Sequence, residues 1–384
     1  MMGNNLTIYD CLYPKYKIKK PIRLIEFFAG YGSQALALKY LGIPFEHWKI
    51  CEWAVKSIQA YKDLHFPDWN GELDGLYKAE HLYKTLYNEG ISSNYNEPMT
   101  LEQIKRLGVE KAEEITYNNI VTHNLVNIQQ VKGEDLDIRD IDKYTYLFTY
   151  SFPCQDLSLA GKQKGMGDTS TRSGMLWEVE RILTECKELG NMPEILLMEN
   201  VPQVHGADNL QDFNKWQLRL EELGYKNYMQ DLIATDYGIP QTRNRCFMIS
   251  ILGDYSYTFP KPIPLELKLK DVLEDNVHEK YYLKDKQIQD IKGWNTYQKP
   301  LENTDKDVCG TLTTRSGAYC ADMKLTKIGS RIRKLTPKEC FRLMGVKDED
   351  YEKIRKNQSE SSLYHLAGDS IVVNVLMAIF KELL

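Results

Sequence analysis

A cysteine that follows an apolar segment and a proline is the residue best placed for covalent chemistry. Cys154 comes after the run YLFTYSFP, which predicts a strand over 146–153, and Pro153 fixes its own φ at the turn. The polar loop that follows contains three glycines, and such loops can close over a substrate. A free cysteine is most often a small buried hydrophobic residue. The strand-end position beside a glycine-bearing loop favours a nucleophile instead.

A carboxyl group and two guanidinium groups lie next to two other apolar segments. Glu199 and Asn200 directly follow the apolar run EILLM. A carboxyl group whose pKa is raised by burial is a natural general acid, whereas Asn200 could equally cap a helix. Arg243 and Arg245 are two apart, so on an extended strand they share one face. Guanidinium groups pair with phosphate or carboxylate, but alone these two would be interpreted as surface arginines.

The turn FAGYGS, at 28–33, contains glycines that let a ligand approach the backbone closely. Alone, a GxG turn is more often structural than cofactor-binding. Two acidic residues favour a cofactor pocket. Glu52 lies about 20 residues after the turn, where an acid can bond ribose hydroxyls, and Trp53 beside it can stack on adenine. Asp137, in GEDLDI, can accept a bond from an exocyclic amine. This spacing fits either a dinucleotide or S-adenosylmethionine.

Alternating apolar strands and helices must position these residues. Strands are predicted at 23–28, 47–51, 146–153, 194–201 and 245–252, and helices at 34–42, 54–64 and 371–384. Successive strand–helix units predict an α/β fold, with a mostly parallel Rossmann-like sheet and helices on both faces. The polar segment 71–130, partly helical as in LEQIKRL, interrupts this order and is interpreted as an insertion. The segment 253–330 is rich in Pro, Lys, Asp and Tyr and predicts a smaller second domain.

Composition narrows the class of protein. The 384 residues, 42% of them hydrophobic, suffice for one large domain or one large and one small. None of the eight cysteines forms a CxxC pair, so neither a metal site nor a disulfide framework is expected. No apolar run approaches the roughly 20 residues of a membrane span, and no secretory signal opens the chain. We therefore expect a cytoplasmic protein without membrane contact.

The charge of the chain is uneven. The net charge is −5, which does not by itself indicate a nucleic-acid-binding protein. Between 324 and 342, however, there are seven basic residues and one acidic residue. Such a cluster can form a phosphate-binding face. On its own it is more typical of a solvated surface.

Taken together, these segments resemble the DNA cytosine-5 methyltransferase family, in the family's motif order, from about residue 23 to 380. The resemblance rests on eight segments: FAGYGS, CEWAVKSIQAY, LDI, SFPCQDLSLAGKQKG, MENVPQV, DYGIPQTRNR, RKLTPKECFRLMG and GDSIVVNVLMAI. It implies a catalytic methyltransferase domain over 1–252 and 331–384. The segment 253–330 then occupies the place of a target-recognition domain, and 71–130 has no clear counterpart.

The resemblance also implies roles for single residues, with S-adenosylmethionine as cofactor and double-stranded DNA as partner. The expected catalytic group is Cys154, Glu199, Arg243 and Arg245, with Cys154 the nucleophile, Glu199 pairing with the target cytosine and Arg243 supporting that pair. The expected cofactor contacts are Phe28, Ala29, Gly30, Gly32, Ser33, Glu52, Trp53, Asp137, Ile138, Pro153, Asp369 and Ser370. The expected DNA contacts are Gln155, Ser158, Gln163, Lys164, Gln241, Thr313, Thr314, Arg315 and Ser316.

One residue departs from the family pattern. The last motif usually has Asn after its glycine, and here that residue is Asp369. The change removes two amide donors and adds a charge, which can weaken cofactor binding or shift a pKa. It touches neither Cys154 nor Glu199, so activity is still expected.

The expected reaction is methyl transfer to the 5-carbon of a flipped cytosine. We expect the protein to be a monomer, and a cognate restriction endonuclease is a possible partner. Three other functions are kept open. An RNA cytosine methyltransferase shares the catalytic motifs, although the short Cys-Phe-Thr signature of the tRNA-directed branch is absent. A silent DNA-binding regulator is favoured only by Asp369. A nicotinamide dehydrogenase is suggested by the glycine turn alone.

Overall fold

A central six-stranded sheet organises the protein in the computed structural model, which describes residues 13–68, 78–152, 174–294, 296 and 299–384. Its strands are β1 (Ile22–Phe27), β2 (Phe45–Cys51), β3 (Thr145–Tyr150), β4 (Ile195–Asn200), β5 (Tyr225–Ile233) and β6 (Asn244–Leu252). Their order is β2-β1-β3-β4-β6-β5. The first four strands are parallel, whereas β6 runs antiparallel to both β4 and β5.

Helices cover both faces of this sheet. They are α1 (Ser33–Tyr40), α2 (Val55–His65), α3 (Ala79–Glu89), α4 (Leu101–Leu107), α5 (Val109–Val121), α6 (Met175–Glu188), α7 (Leu210–Leu223), α8 (Asp285–Lys292), α9 (Pro337–Arg342), α10 (Asp348–Arg355), α11 (Glu360–Gly368) and α12 (Val373–Leu383). Successive strand residues face opposite cores. In β4, Ile195 and Leu197 join the core beneath α1 and α12, and Leu196 and Met198 join the one beneath α6 and α7. The expected α/β class is confirmed.

The reversal of β6 decides where the functional segments meet. The carboxyl ends of β1, β3 and β4 lie at one edge of the sheet, and the beginning of β6 lies at the same edge because that strand is antiparallel. In the register, Glu199 pairs with Phe247 and Asn200 with Cys246. The arginines that precede and begin β6 are thereby brought to the end of β4.

The described part of the predicted insertion, residues 78–130, is largely helical and has a hydrophobic cluster of its own. Helix α4 begins at a capping box, in which Thr100 and Gln103 each bond the other's backbone. Leu82, Leu86 and Ile104 pack together on α3 and α4, and Trp53 packs against this cluster. The insertion therefore rests directly on the segment that follows β2.

The segment 253–330 shares the main core and adds a small one. Tyr257, Leu269 and Leu312 belong to the large cluster beneath α1 and α12. A separate cluster contains Ile291 and Met323. The expected boundary at 330 falls inside a hairpin made by β7 (Leu325–Ile328) and β8 (Arg331–Lys334). The division into two domains stays a prediction.

Ion pairs account for most of the basic cluster at 324–342. Arg331 pairs with Glu279, Arg333 with Glu339, and Lys327 with Asp305. Lys338 and Arg342 both pair with Asp348, at 3.1 and 2.6 Å. Acidic partners largely neutralise the cluster, so it does not form a free phosphate-binding face.

The carboxyl-terminal helices form one long apolar segment. Among the described residues, Glu360–Leu383 is long and apolar enough, by length and composition, to cross a membrane. Of its most apolar window, 72% is buried inside the protein. Core packing explains the apolar character of α11 and α12.

Candidate active site

The turn after β1 is built around left-handed backbone. Phe28, Gly30 and Gly32 have φ angles of 57°, 56° and 82°. A Cβ on Gly32 would lie 2.4 Å from Nε2 of His65, so only glycine fits there. A Cβ on Gly30 would meet no atom within 4 Å, which shows that this side of the turn borders open space.

Glu52 ties this turn to the start of α2. Its Oε2 accepts a hydrogen bond from the Gly30 amide at 2.9 Å, and its Oε1 accepts one from the Ala54 amide at 2.8 Å. Burial raises the pKa of Glu52 to about 7, although these backbone donors act in the opposite direction. A carboxyl group is therefore held at the turn, where a hydroxylated ligand could bond it.

The insertion fixes the backbone on the other side of Glu52. Asn124 accepts a bond from the Glu52 amide at 3.0 Å and donates one to the Glu52 carbonyl at 2.9 Å. The amide of Ser92 donates to the Trp53 carbonyl at 2.7 Å. Contacts from residues 92 and 124 thus position both members of the Glu52–Trp53 pair.

Glu199 faces Arg245 at the end of β4. The Nε atom of Arg245 lies 3.1 Å from Oε1 of Glu199, and both side chains are largely buried. The alignment does not make a hydrogen bond, so among the described residues this buried Oε1 atom has no hydrogen-bond partner. Burial raises the pKa of Glu199, while the charges of Arg245 and then Arg243 oppose that rise. The site therefore holds a buried carboxyl group that is paired by charge with Arg245 and whose Oε1 atom makes no hydrogen bond within the described part of the chain.

Arg243 holds two loops together. Its Nη1 donates to the Leu312 carbonyl at 2.9 Å, and its Nη2 donates to the carbonyls of Gly368 and Ser370 at 3.1 and 2.7 Å. The Ser370 hydroxyl lies 2.9 Å from that of Tyr31, which belongs to the turn after β1. The side chain of Arg243 therefore joins the 310–320 loop, the segment after α11 and the glycine turn.

Asp369 adds a third carboxyl group to this region. Part of its surface is exposed to solvent, but the protein packed around its carboxyl group desolvates that group and raises its pKa to about 6. The positive charges of Arg243 and Arg245 oppose this rise. Its own charge contributes to raising the pKa of both Glu52 and Glu199. The three carboxyl groups therefore share one electrostatic environment.

Comparisons with known proteins identify the family. A family model for C-5 cytosine-specific DNA methylases matches residues 106–384. A type II methyltransferase of Lactococcus lactis subsp. cremoris, M2.ScrFI, is 37% identical over 379 residues, which cover 94% of this chain and 99% of the relative. The chain belongs to the C-5 cytosine-specific DNA methylase family.

Two further similarities extend this result. The orphan methyltransferase M.SssI of Spiroplasma monobiae is 34% identical to this DNA methylase over 390 residues, or 95% of this chain and 97% of the relative. A crystal structure of the S. pombe Dnmt2 methyltransferase aligns with a TM-score of 0.63 and 17% identity, covering 94% of this chain and 98% of that one. At that identity it supports the fold alone.

The methylase is thus a DNA (cytosine-5) methyltransferase of the kind found in restriction–modification systems. The expected family is confirmed. The dehydrogenase and RNA-directed alternatives find no support in these matches. Family membership implies a methyl donor, and the roles expected for single residues remain proposals.

The structure brings many of the expected site residues together at one edge of the methylase sheet. Ala29 and Ser33 are buried in the glycine turn, and Ile138 is buried beside the half-exposed Asp137. Asp137 lies in the left-handed region, with φ 48°, and its Oδ2 is 3.4 Å from Nη2 of Arg139. Some expected residues lie outside the part of the chain that the structure describes: Pro153, Cys154, Gln155, Ser158, Gln163 and Lys164.

Three assignments change. Gln241, expected to contact DNA, is fully buried, donates to the Leu343 carbonyl at 2.7 Å and accepts from the Leu312 amide at 2.9 Å. Ser316 is also buried, and its hydroxyl accepts from the Thr313 amide at 2.8 Å. Both residues shape the methylase's 310–320 loop instead of facing solvent.

The third change concerns the two arginines. Arg245 forms the ion pair with Glu199, whereas Arg243 donates to backbone carbonyls and acts on Glu199 through its charge. The sequence alone could not assign these two roles. They depend on where β6 begins and on its antiparallel register with β4, because β6 carries Arg245 and Arg243 lies just before it.

Sequence reasoning missed how the 310–320 loop is seated. A Cβ on Gly368 would lie 2.1 Å from the Thr313 carbonyl carbon, and one on Gly317 would lie 2.2 Å from the Tyr364 ring. The loop therefore packs on α11 through two glycines. The glycines in TRSG and AGDS were the only signal of this contact.

The insertion also reaches this region. Tyr95, with φ 64°, stacks on His365 of α11, with ring centroids 3.9 Å apart and planes 17° apart. The negative charges of Glu52 and Asp369 help to raise the pKa of Tyr95 after burial, the largest cause. Nothing in the sequence pointed to this contact.

Proposed function

We propose that this DNA methylase transfers a methyl group from S-adenosylmethionine to the 5-carbon of a cytosine flipped out of a specific duplex sequence, through a covalent adduct with Cys154. The buried Glu199–Arg245 pair supports this proposal, because burial raises the pKa of a carboxyl group whose Oε1 atom has no hydrogen-bond partner among the described residues. The Asn200 amide donates to the Phe152 carbonyl at 3.0 Å. The chain that leads to Cys154, two residues on, is therefore anchored beside Glu199.

The residues around the glycine turn fit the proposed cofactor. Gly30 leaves open space where any other residue would place a Cβ, and Glu52 stands at the turn with a raised pKa. Glu52 would bond the ribose, Trp53 the adenine face and Asp137 the adenine amine, with Phe28, Gly32 and Asp369 nearer the methionine portion. When bound, S-adenosylmethionine would supply an electrophilic methyl group to the 5-carbon, with the S–CH3 bond broken and the neutral thioether S-adenosylhomocysteine as the leaving group.

The remaining work falls to the protein's side chains. A cytosine inside a duplex is out of reach, so the base must flip before reaction. The Cys154 thiolate adds to the 6-carbon, and the electrons of the ring double bond move toward the 5-carbon and ring nitrogen 3. Protonated Glu199 donates its proton to ring nitrogen 3 and so stabilises that charge. Arg245 positions the Glu199 carboxyl group.

The covalent adduct then breaks down by elimination, with no change of oxidation state at the ring or the sulfur. After methylation, a water molecule acting as base removes the proton from the 5-carbon. The double bond between the 5- and 6-carbons re-forms, and the Cys154 sulfur leaves as a thiolate. The proton on ring nitrogen 3 returns to Glu199. Both side chains are regenerated for another turnover.

For DNA contact we propose the exposed part of the 310–320 loop together with the polar residues after Cys154. Arg315 is exposed, and Thr313 and Thr314 are half-buried. Gln155, Ser158, Gln163 and Lys164 complete the proposed contacts. Action as a cytoplasmic monomer, beside a cognate restriction endonuclease, remains a prediction.

Methyl transfer to duplex DNA tests the proposal. Purified protein is incubated with DNA and S-adenosylmethionine, and methylated cytosines are located by bisulfite sequencing. We expect methylation in one sequence context, and its abolition in Cys154→Ser with specific DNA binding retained. The matched control is Cys186→Ser on α6, which should keep normal activity because a serine hydroxyl can donate to the Gly133 carbonyl as the thiol does. Glu199→Gln should lose about 10²–10³-fold in rate with little change in cofactor affinity. Full turnover by Cys154→Ser would refute the mechanism.

A further inference from the structure

Three potential metal ligands converge behind the active site. They are His205, in the turn of 3₁₀ helix Pro202–His205 that follows β4, Asp231 on β5 and Cys246 on β6. The His205 Nε2 and Asp231 Oδ1 atoms are 2.9 Å apart. One ligand atom from each residue lies within 4.8 Å of the other two. The three residues come from separate elements that are adjacent in the fold.

The sheet register places two of these ligands and the chain path places the third. Asp231 pairs directly with Cys246 across the β5–β6 ladder, and Cys246 pairs with Asn200 on its other side. His205 lies five residues beyond Asn200. Strand pairing therefore holds the carboxylate and the thiol together, whereas the imidazole belongs to a segment that packs onto them.

The types of ligand favour a borderline-soft cation. Imidazole, carboxylate and thiolate together suit Zn²⁺, whereas Mg²⁺ and Ca²⁺ prefer all-oxygen sites. In a tetrahedral zinc site, bond lengths near 2.0–2.3 Å place ligand atoms roughly 3.5 Å apart. To reach that separation, the His205 and Asp231 atoms would move slightly apart from 2.9 Å, and the Cys246 sulfur would take a position about 3.5 Å from both. Water would then fill the fourth position.

An ion pair explains only part of the arrangement. His205 and Asp231 are partly exposed and would pair without a metal. Cys246 is fully buried, and burial, the negative charges of Asp231 and Glu199, and a hydrogen bond with Asp231 all raise the pKa of its thiol. A bound cation would reverse that effect by stabilising the thiolate.

We propose that His205, Asp231 and Cys246 form a binding site for Zn²⁺ that ties the segment following Glu199 to strands β5 and β6. Binding displaces the thiol proton to solvent and forms Zn–N, Zn–O and Zn–S bonds without any change of oxidation state. The site is distinct from the methyl-transfer residues. Cys246 is nevertheless adjacent in sequence to Arg245, which forms the ion pair with Glu199.

Cobalt titration of the full-length protein tests this site without relying on activity. Co²⁺ replaces Zn²⁺ and reports a bound thiolate by a near-ultraviolet charge-transfer band. We expect the wild-type protein to show that band and to lose it on adding Zn²⁺. His205→Gln and Asp231→Asn, which change partly exposed residues and should fold normally, are expected to weaken cobalt binding. Cys246→Ser should abolish the band.

Other thiols provide the matched controls. Cys154→Ser and Cys320→Ser should keep the band, because neither residue belongs to the site. Zn²⁺ should also raise the thermal midpoint of the wild-type protein and of these two controls, but not that of His205→Gln. Absence of the band at saturating Co²⁺, or its persistence in Cys246→Ser, would overturn the proposal.

Discussion

At the scale of single residues, burial and neighbouring charges of both signs set the pKa of Glu199. Burial raises its pKa, Arg245 and Arg243 oppose that rise, and Asp369 adds to it. In the proposed mechanism Glu199 must carry a proton when the cysteine adds. The methylation rate should therefore fall as the pH rises through the pKa of Glu199.

Two substitutions should move this alkaline limb in opposite directions. Arg245→Gln removes a positive charge that favours the ionised carboxylate, so the pKa of Glu199 rises and the limb moves to higher pH. Asp369→Asn removes a negative charge that opposes ionisation, so the pKa falls and the limb moves to lower pH. The pKa of Asp369 is about 6, so its charge is present throughout the neutral range. Single-turnover methylation rates measured against pH give both shifts.

The Glu199→Gln variant serves as the reference for these profiles. It has no carboxyl group to titrate, so its residual rate should lack the limb. Shifts of the same sign in the two charge variants, or an unchanged limb in Glu199→Gln, would exclude Glu199 as the titrating group.

Several site residues could be placed from sequence because each lies at the end of an apolar strand. Glu52 and Glu199 are of this kind, since parallel strands bring their carboxyl ends to one edge. The partner of Glu199 could not be placed. Arg245 forms the ion pair because of the antiparallel register between β6 and β4. A separation of two residues in the sequence does not predict that register.

At the scale of elements, the 310–320 loop depends on close packing against α11. The ring of Tyr364 occupies the space that a side chain on Gly317 would need, and its hydroxyl donates to the Leu335 carbonyl at 2.6 Å. The ring is thus held at both ends. A larger residue at 317 must displace the loop.

Gly317→Ala should therefore weaken specific DNA binding by about tenfold or more, because a shift of one loop contact costs roughly 1–3 kcal/mol. Cofactor affinity should stay near the wild-type value. Gly310→Ala is the matched control, since its Cβ would lie 3.7 Å from the flexible end of Lys324. Fluorescence anisotropy with a target duplex measures both variants. Equal affinities for the two would contradict the packing argument.

Strand β5 was not foreseen, in contrast to the other strands of the sheet. Its sequence, YKNYMQDLI, contains little regular alternation, and most of its residues are partly or fully exposed. As an edge strand it buries little on either face, so the hydrophobic signal is weak. Strands β1, β3 and β4 are buried throughout and were predicted within one to three residues at each end.

At the scale of the whole molecule, a buried ion pair joins strand β8 to helix α9, and a hydrogen bond from the Glu274 amide connects the segment 253–330 to the same carboxylate. Arg333 on β8 is 1% exposed, and its Nη2 and Nη1 donate to Glu339 at 2.6 and 2.8 Å. Glu339 also accepts from the amides of Thr336 and Glu274, both at 2.8 Å. The carboxylate is fully bonded by groups from three parts of the chain.

Glu339→Ala should destabilise the fold by about 3–5 kcal/mol, because it leaves a buried guanidinium group without its partner. Denaturant unfolding followed by circular dichroism measures the change. Glu279→Ala removes the partner of the exposed Arg331 on the same hairpin and should leave the unfolding midpoint almost unchanged. Similar losses in the two variants would show that burial of the pair contributes little.

Composition pointed to a possible second domain, but it could not show how the segment 253–330 is attached. A basic cluster at 324–342 looks like a surface feature in sequence. In the fold, Arg333 is one of the largest fully buried side chains, since its acidic partner lies six residues later on α9. Such pairing depends on tertiary contacts that no local pattern reports.

Capture of the covalent adduct tests the proposed nucleophilic role of Cys154 most directly. A duplex with 5-fluorocytosine at the target position should stop the reaction after methylation, because fluorine cannot leave as a cation in place of the proton. With S-adenosylmethionine present, we predict a protein–DNA adduct that survives denaturation, with the DNA attached to the peptide containing Cys154, and no adduct in Cys154→Ser. Attachment at another residue, or methylation of normal DNA by Cys154→Ser, would contradict the account.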